Sequence, residues 1–590
     1  MPLFLSSDYA IYVGMYIATV PNRGSPPAIL LREGYREGTK VKNRTLANLS
    51  DWSEARIAAL RRVLRNEPVL APHEAFLIER SLPQGHVQAV LDSIKRLGVD
   101  KLLGTKRSSQ RDLVLAMVVE RLIHPCSKLA TTRLWHSTTL AEELGVADCS
   151  EDDLYEAMDW LVQRQSRIEQ KLAARHLTDQ SQVLYDVTSS YYEGYSCPLM
   201  QFGHDRDGKQ GRPIVVYGVL TDRDGRPIAM QVYAGNTADP TTVPDQVNKL
   251  RDSFALAHVV LVGDRGMLTQ TQIDKLKQYP GLGWISALRS HAIRELVDGG
   301  ALQLSLFDQQ HIAEISSPEF AGERLVACYN PLLAEQRHRK RQELLKATEQ
   351  HFDKILRYVS RRTKTPLTAA EIGKKVGQVI NRFKMGKHFE LTIEQGVFRY
   401  ARRQQAIQRE SELDGIYVIR TSEPPTRLSA EDTVRSYKNL AQVEHAFRCL
   451  KGIDLLVRPI RHRDQQRVKA HLFLCLLAYY VEWHMRKALA PLLFDDEQLD
   501  KDRRTRDPVA PAKPSASAKK KKTTRLTSDG LPIHSFDTLL VELGTRCRNQ
   551  CRIKSDSQSA PFYLLTEPTP LQQRAFELLK VLAVPGSPFP

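Results

Sequence analysis

At 590 residues the chain is too long for one compact core, so roughly two to four domains are expected. A composition of 42% hydrophobic and 26% charged residues is globular and excludes a wholly disordered chain. Lys and Arg outnumber Asp and Glu by 85 to 68, and the resulting net charge of +17 favours a polyanionic partner, nucleic acid first.

Residues 1–50 read as a small β unit, with strands in "YAIYVGMYIATV" and "PAILLREGYREG" and a turn at "PNRGSPP". The start, "MPLFLSSDYA", lacks the basic residues and long apolar run of a signal peptide. Residues 51–180 turn helical: "EARIAALRRVLRNE", "HVQAVLDSIKRLG" and "RDLVLAMVVERLI" carry apolar residues at spacings of three and four. Several of these faces are basic, which suits a DNA-binding region or a plain helical domain with solvated cations. The first of these is the assignment for 51–180.

The rhythm changes over 181–290. A strand at 183–187 precedes the glycine-rich "FGHDRDGKQG"; "RPIVVYGVL" and "RPIAMQVYAG" then flank "TDRDG", whose Asp-Gly is a hairpin signal. A helix is expected at 243–256, followed by a strand in "AHVVLVGDRG", a helix in "LTQTQIDKLKQY" and a strand in "GWISAL". Residues 291–410 interrupt this plan and become helical and highly basic. Residues 411–495 resume it, with a strand in "DGIYVIRTS" and one helix across 430–451.

The most apolar stretch, "HLFLCLLAYYVEWHM" at 471–485, is too short and too polar at its ends to span a bilayer; it predicts a buried helix, and no membrane partner is expected. Residues 496–530, rich in Lys, Pro and Ala, read as a disordered basic linker, and 531–590 as a C-terminal segment. Eight scattered cysteines suit a reducing cytoplasm, and the lone C-x3-C of Cys547 and Cys551, with no second pair nearby, argues against zinc.

Candidate chemistry sits at the strand ends. Asp186 and Asp264 each follow an apolar run directly. Such an acid is ordinarily a turn or cap residue, but two in one sheet-like block repel each other unless a cation neutralises them. Oxygen ligands point to Mg²⁺ or Mn²⁺. The helix at 430–451 supplies a third acid, Glu444. Tyr437, Leu440, Phe447, Arg448 and Lys451 share its face, whereas an ordinary amphipathic helix sends its charges to the opposite side. A plain Glu444–Arg448 surface pair is the competing reading, worth only about 0.3–0.5 kcal/mol.

The blocks "YDVTSSYYEG", "AGNTAD", "LVGDRGML" and "RPIRHRDQQRVKAHLFLCLLAYY", in this order, resemble the DDE transposases of bacterial insertion sequences. The nearest group is the insertion-sequence-four superfamily, sixteen-thirty-four branch, with its Tyr-x2-Arg-x3-Glu-x6-Lys signature. Tyr437, Glu444 and Lys451 match that spacing, and Leu440 stands where the signature has arginine. The likeness runs from "LREGYREGTKVKNRTLANLSDW" to about residue 490.

The resemblance implies an α/β fold: a ribonuclease-H-like mixed five-stranded sheet with flanking helices, split into 181–290 and 411–495 by an insertion subdomain at 291–410. It also implies a catalytic and metal-binding trio of Asp186, Asp264 and Glu444 around two Mg²⁺ or Mn²⁺ ions. Tyr437, Arg448, Lys451 and Arg458 become DNA-binding residues, with Arg448 or Arg458 standing in for the missing arginine. The implied function is cleavage of insertion-sequence ends and joining of 3′ hydroxyls to target DNA. The implied partners are double-stranded DNA and, in the DNA complex, further copies of the chain, in a bacterial cytoplasm near the nucleoid. A metal-dependent nuclease without strand transfer and a catalytically dead DNA-binding relative share most of these features. Tyr191 and Tyr192 suit core or stacking roles better than nucleophilic ones.

Overall fold

The computed structural model describes residues 12–67, 75–194, 196–510, 512–554 and 558–583. They form two compact units, one built from the chain up to Ser81 together with Arg548–Thr566, the other from the rest.

In the first unit, strands β1 (Tyr12–Asn22), β2 (Ser25–Glu37) and β3 (Lys40–Asn48) form an antiparallel meander. Gly24, at φ +83°, makes the first reversal. The first two strands match the apolar runs in the sequence. β3, "KVKNRTLAN", is exposed at every position and so has no hydrophobic alternation to read. Strand β4 (Phe76–Pro83) lies at one edge of a second three-stranded sheet, completed near the other end of the chain as described below. The expected helical region 51–180 is therefore divided between the units at Ser81.

The second unit is organised by a mixed sheet of eight strands. They are β5 (Ser181–Tyr191), β6 (Ile214–Asp222), β7 (Pro227–Ala234), β8 (Val259–Gly263), β9 (Leu282–Ala287), β10 (Ile312–Ile315), β11 (Arg324–Tyr329) and β14 (Ile416–Thr421). Their order is β10-β11-β14-β9-β8-β5-β6-β7. β5, β8 and β9 run parallel, and the other pairs are antiparallel. The Asp224-Gly225 turn joins β6 to β7, with Gly225 at φ +84°.

Five strands were expected and eight are present. The first part of the expected insertion joins the sheet, because "RLVACY" in β11 is buried along its centre between β10 and β14. The rest forms a subdomain around its own core of Leu345, Phe352, Ile372, Val376, Phe389 and Phe398. It comprises the helices Pro331–Ser360, Ala369–Phe383 and Gln404–Ser411 and the hairpin β12 (Phe389–Glu394)–β13 (Val397–Arg402).

Helices cover the sheet. Gln465–Leu489 holds the apolar stretch and is buried almost all round, as its composition predicts, and it packs on β7. No described helix is long and apolar enough to cross a membrane. Ser109–Ile123 is buried from Asp112 to Leu122, which takes that helix out of any DNA-facing role assigned to 51–180.

Two further expectations need correction. The segment 496–530 is not a disordered linker: it holds helices at Leu499–Thr505 and Ala516–Thr524. Its few apolar side chains are compensated by polar anchoring. Asp496 accepts from the Ser515 amide (2.8 Å) and hydroxyl (2.7 Å), and Lys521, 7% exposed, donates to the Ala490 carbonyl (2.9 Å). That ammonium caps orphan carbonyls just beyond the Gln465–Leu489 helix. Lys521→Ala is expected to lower stability by about 2 kcal/mol, read as a lower thermal midpoint, because it strands those carbonyls.

The C-terminal segment 531–590 is likewise not one piece. Helices Phe536–Gly544 and Pro570–Leu579 belong to the second unit. Strands β15 (Cys547–Ile553) and β16 (Phe562–Leu565) complete the sheet with β4, in the order β16-β15-β4. No two cysteines form a disulfide among the described residues.

Candidate active site

Asp186 and Asp264 are brought together by strand register. Tyr185 of β5 pairs with Gly263 of β8 in parallel, so the two acids are the next residues on neighbouring strands about 5 Å apart. Asp186 is half-buried and its Oδ1 accepts from the Val187 amide at 2.7 Å. Asp264 is exposed at the start of a tight turn, its Oδ1 taking the Gly266 amide.

Glu444 comes from the helix Leu440–Lys451, which packs against β5 and β6. Its charge reaches Asp186. Burial pushes the Asp186 carboxyl up to about 7, Asp264 and Glu444 add repulsion, and the Val187 amide and Arg206 act the other way. Among the described residues none of the three acids forms an ion pair. Asp186 is half-buried while Asp264 and Glu444 are exposed, and carboxylates offer the oxygen donors that suit Mg²⁺ or Mn²⁺.

The helix expected across 430–451 is two helices, Ala430–Lys438 and Leu440–Lys451, broken at Asn439. Ser429 caps the first by accepting from the Asp432 amide (3.0 Å), and the second stops at Gly452. Tyr437, before the break, still faces the acids. Burial, with the charges of Asp264, Glu444 and Asp186, pushes its phenol up to about 12, while Arg265 opposes them. Leu440, at the signature arginine position, packs against the main core, so no cation is offered from that place.

The family model described as "Transposase DDE domain" matches residues 178–481, just over half of the chain, and spans β5, β8 and the Glu444 helix. The chain is a DDE transposase. A second model, "IS1634 family transposase, N-terminal domain", matches residues 17–69. No curated protein sequence matches the transposase. Among solved structures, a cryo-EM piggyBac transposase synaptic complex with hairpin DNA is similar at a TM-score of 0.33. It is 9% identical, over 67% of this chain and 72% of that chain.

The cations expected on DNA are placed unequally in the transposase. Arg448 is exposed, and its guanidinium has no hydrogen bond or ion pair among the described residues. Lys451 and Arg458 are instead both committed to Asp207. Lys451 Nζ lies 2.8 Å from Asp207 Oδ1, Arg458 Nη1 donates to the same oxygen, and the Tyr191 amide donates to Oδ2 at 2.9 Å. The Asp207 side chain is 0% exposed and Lys451 only 10%. Lys451 and Arg458, both expected to meet DNA, are thus paired with Asp207.

Sequence reasoning missed Asp207 and its neighbour Arg206. Arg206 holds Asp239 of "AGNTAD" through Nη2, at 2.6 and 2.5 Å, so two of the quoted blocks meet beside Asp186. A Cβ on Gly203 would lie 2.0 Å from the Gly235 carbonyl, which is how closely the glycine-rich loop approaches that block. The one signal in the sequence was the alternation of opposite charges in "HDRDG".

A second acidic group, Cys449, Asp454 and Glu482, has ligand atoms within 4.8 Å of one another. Arg486 already stands there as the cation, 2.6 Å from Glu482 and 3.2 Å from Asp454. Burial pushes the Glu482 carboxyl up to about 7 against that guanidinium.

Proposed function

We propose that this transposase cleaves the DNA ends of a bacterial insertion sequence and joins the freed 3′ hydroxyls to target DNA, using Asp186, Asp264 and Glu444. The observation that supports this reading is the neighbouring register of Asp186 and Asp264, with the charge of Glu444 acting on Asp186 and no ion pair to any of the three among the described residues. Asp186, Asp264 and Glu444 would together hold the divalent ions. Bound there, Mg²⁺ or Mn²⁺ would stabilise charge on the attacking and leaving oxygens of an in-line displacement.

The chain's own part is to hold those carboxylates in place. The Val187 and Gly266 amides orient two of them, and the Asp207 clamp fixes the end of the Glu444 helix. Arg448 supplies the exposed positive charge for a DNA phosphate, and Tyr437 lines the same face. We assign the chain to the Tyr-Arg-Glu-Lys type of the insertion-sequence-four superfamily, with arginine replaced by Leu440. Within the eight-stranded sheet, the run β7-β6-β5-β8-β9, three antiparallel strands followed by two parallel ones, supports a ribonuclease-H-like core. The net charge of +17 supports double-stranded DNA as partner, and assembly of several copies on paired ends belongs to the same reading.

The test is incubation with Mg²⁺ or Mn²⁺ and duplexes carrying the element's ends, uncut and pre-cut, plus a target plasmid. Cleavage and covalent joining are expected, with binding that weakens steeply with salt. Cutting without joining would leave a nuclease, binding without cutting a dead relative, and a flat salt response would remove DNA as the partner.

A further inference from the structure

Beside Asp264 the structure opens a cleft of about 650 Å³ between the end of β8 and the insertion subdomain. Its walls carry seven Arg and Lys side chains against two carboxylates, Glu410 and Asp414. Some of this charge is answered locally: Arg294 pairs with Glu412, Arg409 with Asp298 and Lys387 with Glu410.

Three cations are not neutralised in this way, and a fourth, Arg341, is paired with Asp414 and lies 3.9 Å from Glu410. Arg265, the residue after Asp264, and Lys340 are exposed, with no ion pair or side-chain hydrogen bond among the described residues. Among the described residues Arg337 donates to the carbonyls of Leu413 and Ile416, each at 3.3 Å. Arg341 is 6% exposed and gives one nitrogen to Asp414, but its buried Nε and Nη1 have no hydrogen-bond partner among the described residues. Unsatisfied guanidinium donors in a buried setting are costly and await an acceptor. Burial holds the Arg337 guanidinium below its ordinary range, and Arg265 and Arg341 repel it against the attraction of Asp414.

We infer that this cleft is a second DNA-backbone site, which takes the phosphodiester strand leading away from the acid trio into the insertion subdomain. Arg265 is its near end and Arg341 its floor. Guanidinium forks suit phosphate oxygens, and a run of cations that starts one residue from a catalytic acid sets the direction of the strand. The inference rests on the proposed function and adds to it a role for the insertion: it guides the strand beyond the point of cleavage.

Lys340 and Arg265 are exposed and unpaired, so replacing them leaves folding intact. The probe is a fluorescent element-end duplex bound without metal across a salt series, with extensions of either strand past the cleavage position. Arg265→Ala/Lys340→Ala is expected to weaken binding about 10-fold and to lower the log–log salt slope by about 2, one unit for each lost phosphate contact. The loss should appear only with the extended strand present. Lys374→Ala, which removes one exposed charge on the outer helix Ala369–Phe383, controls for net charge. An unchanged slope, or an equal loss with Lys374→Ala, would overturn the inference while wild-type cleavage still upheld the proposed function. A wild-type protein that neither binds nor cuts would bring down both.

Discussion

Asp186→Asn is expected to abolish DNA cleavage and, at the same time, to stabilise the metal-free protein. The first effect follows from the chemistry. An amide lacks the anionic oxygens that would hold a divalent ion, and losing several kcal/mol of transition-state stabilisation slows cleavage by about 100-fold or more. The second follows from burial. The folded carboxyl sits at about 7, above its ordinary 3.8, so the folded protein holds an extra proton between those values.

Stability therefore falls as pH rises across that window, and the loss is complete above about pH 7. Its ceiling is about 4 kcal/mol, at roughly 1.4 kcal/mol per unit. The amide of the Asp186→Asn variant does not titrate and escapes that loss, so the gap in thermal midpoint between variant and wild type should widen from pH 4 to 7 and then hold. Divalent cations should raise the wild-type midpoint at pH 8, do little at pH 5, and do nothing for the variant. Equal midpoints at pH 8 without metal would mean that Asp186 is not strained by its neighbours, and metal stabilisation of the variant would take it out of the ligand set. Asp264→Asn and Glu444→Gln should lose cleavage to a similar degree while keeping DNA affinity. Site strain that costs stability and serves activity is the usual trade.

Each aspartate follows an apolar run, which is what draws attention to it in the sequence. Asp264 does directly follow β8, but Asp186 is not at a strand end as expected: β5 runs on past it to Tyr191, because the hydroxyl-rich "TSSY" continues the ladder with β6. The pairing of the two acids was not local; it depends on Tyr185 meeting Gly263, a register visible only in the folded sheet. The same limit explains the misreadings. β3 carries no buried residue, so hydrophobic alternation could not mark it. β11 reads as a buried strand, but nothing in "RLVACY" says that it borders β14 rather than founding a separate insertion. The lysine-rich run at 516–524 looks solvated until Lys521 finds the Ala490 carbonyl 31 residues earlier. Leu440 looked like a lost function in the signature and is accounted for in the fold as packing.

Asp207 is the extreme case, since its partners Lys451 and Arg458 lie 244 and 251 residues away. Asp207→Ala is expected to be among the most damaging substitutions outside the acid trio. It leaves a nearly buried ammonium and a guanidinium facing each other without their carboxylate, at a cost of about 3–5 kcal/mol. Lys451 ends the helix that carries Glu444, so the same change loosens the third acid. Cleavage should then fall through kcat, with DNA affinity little changed. Asp207→Asn keeps an acceptor for the Tyr191 amide and isolates the charge. Pairing it with Lys451→Met should recover part of the lost stability, with a coupling of about 1 kcal/mol or more in a double-mutant cycle of thermal midpoints. The contrary result is specific. If Asp207→Asn kept wild-type stability and bound DNA more tightly, the carboxylate would be shielding Lys451 and Arg458 from phosphate, and its task would be to hold them in reserve rather than to position the helix.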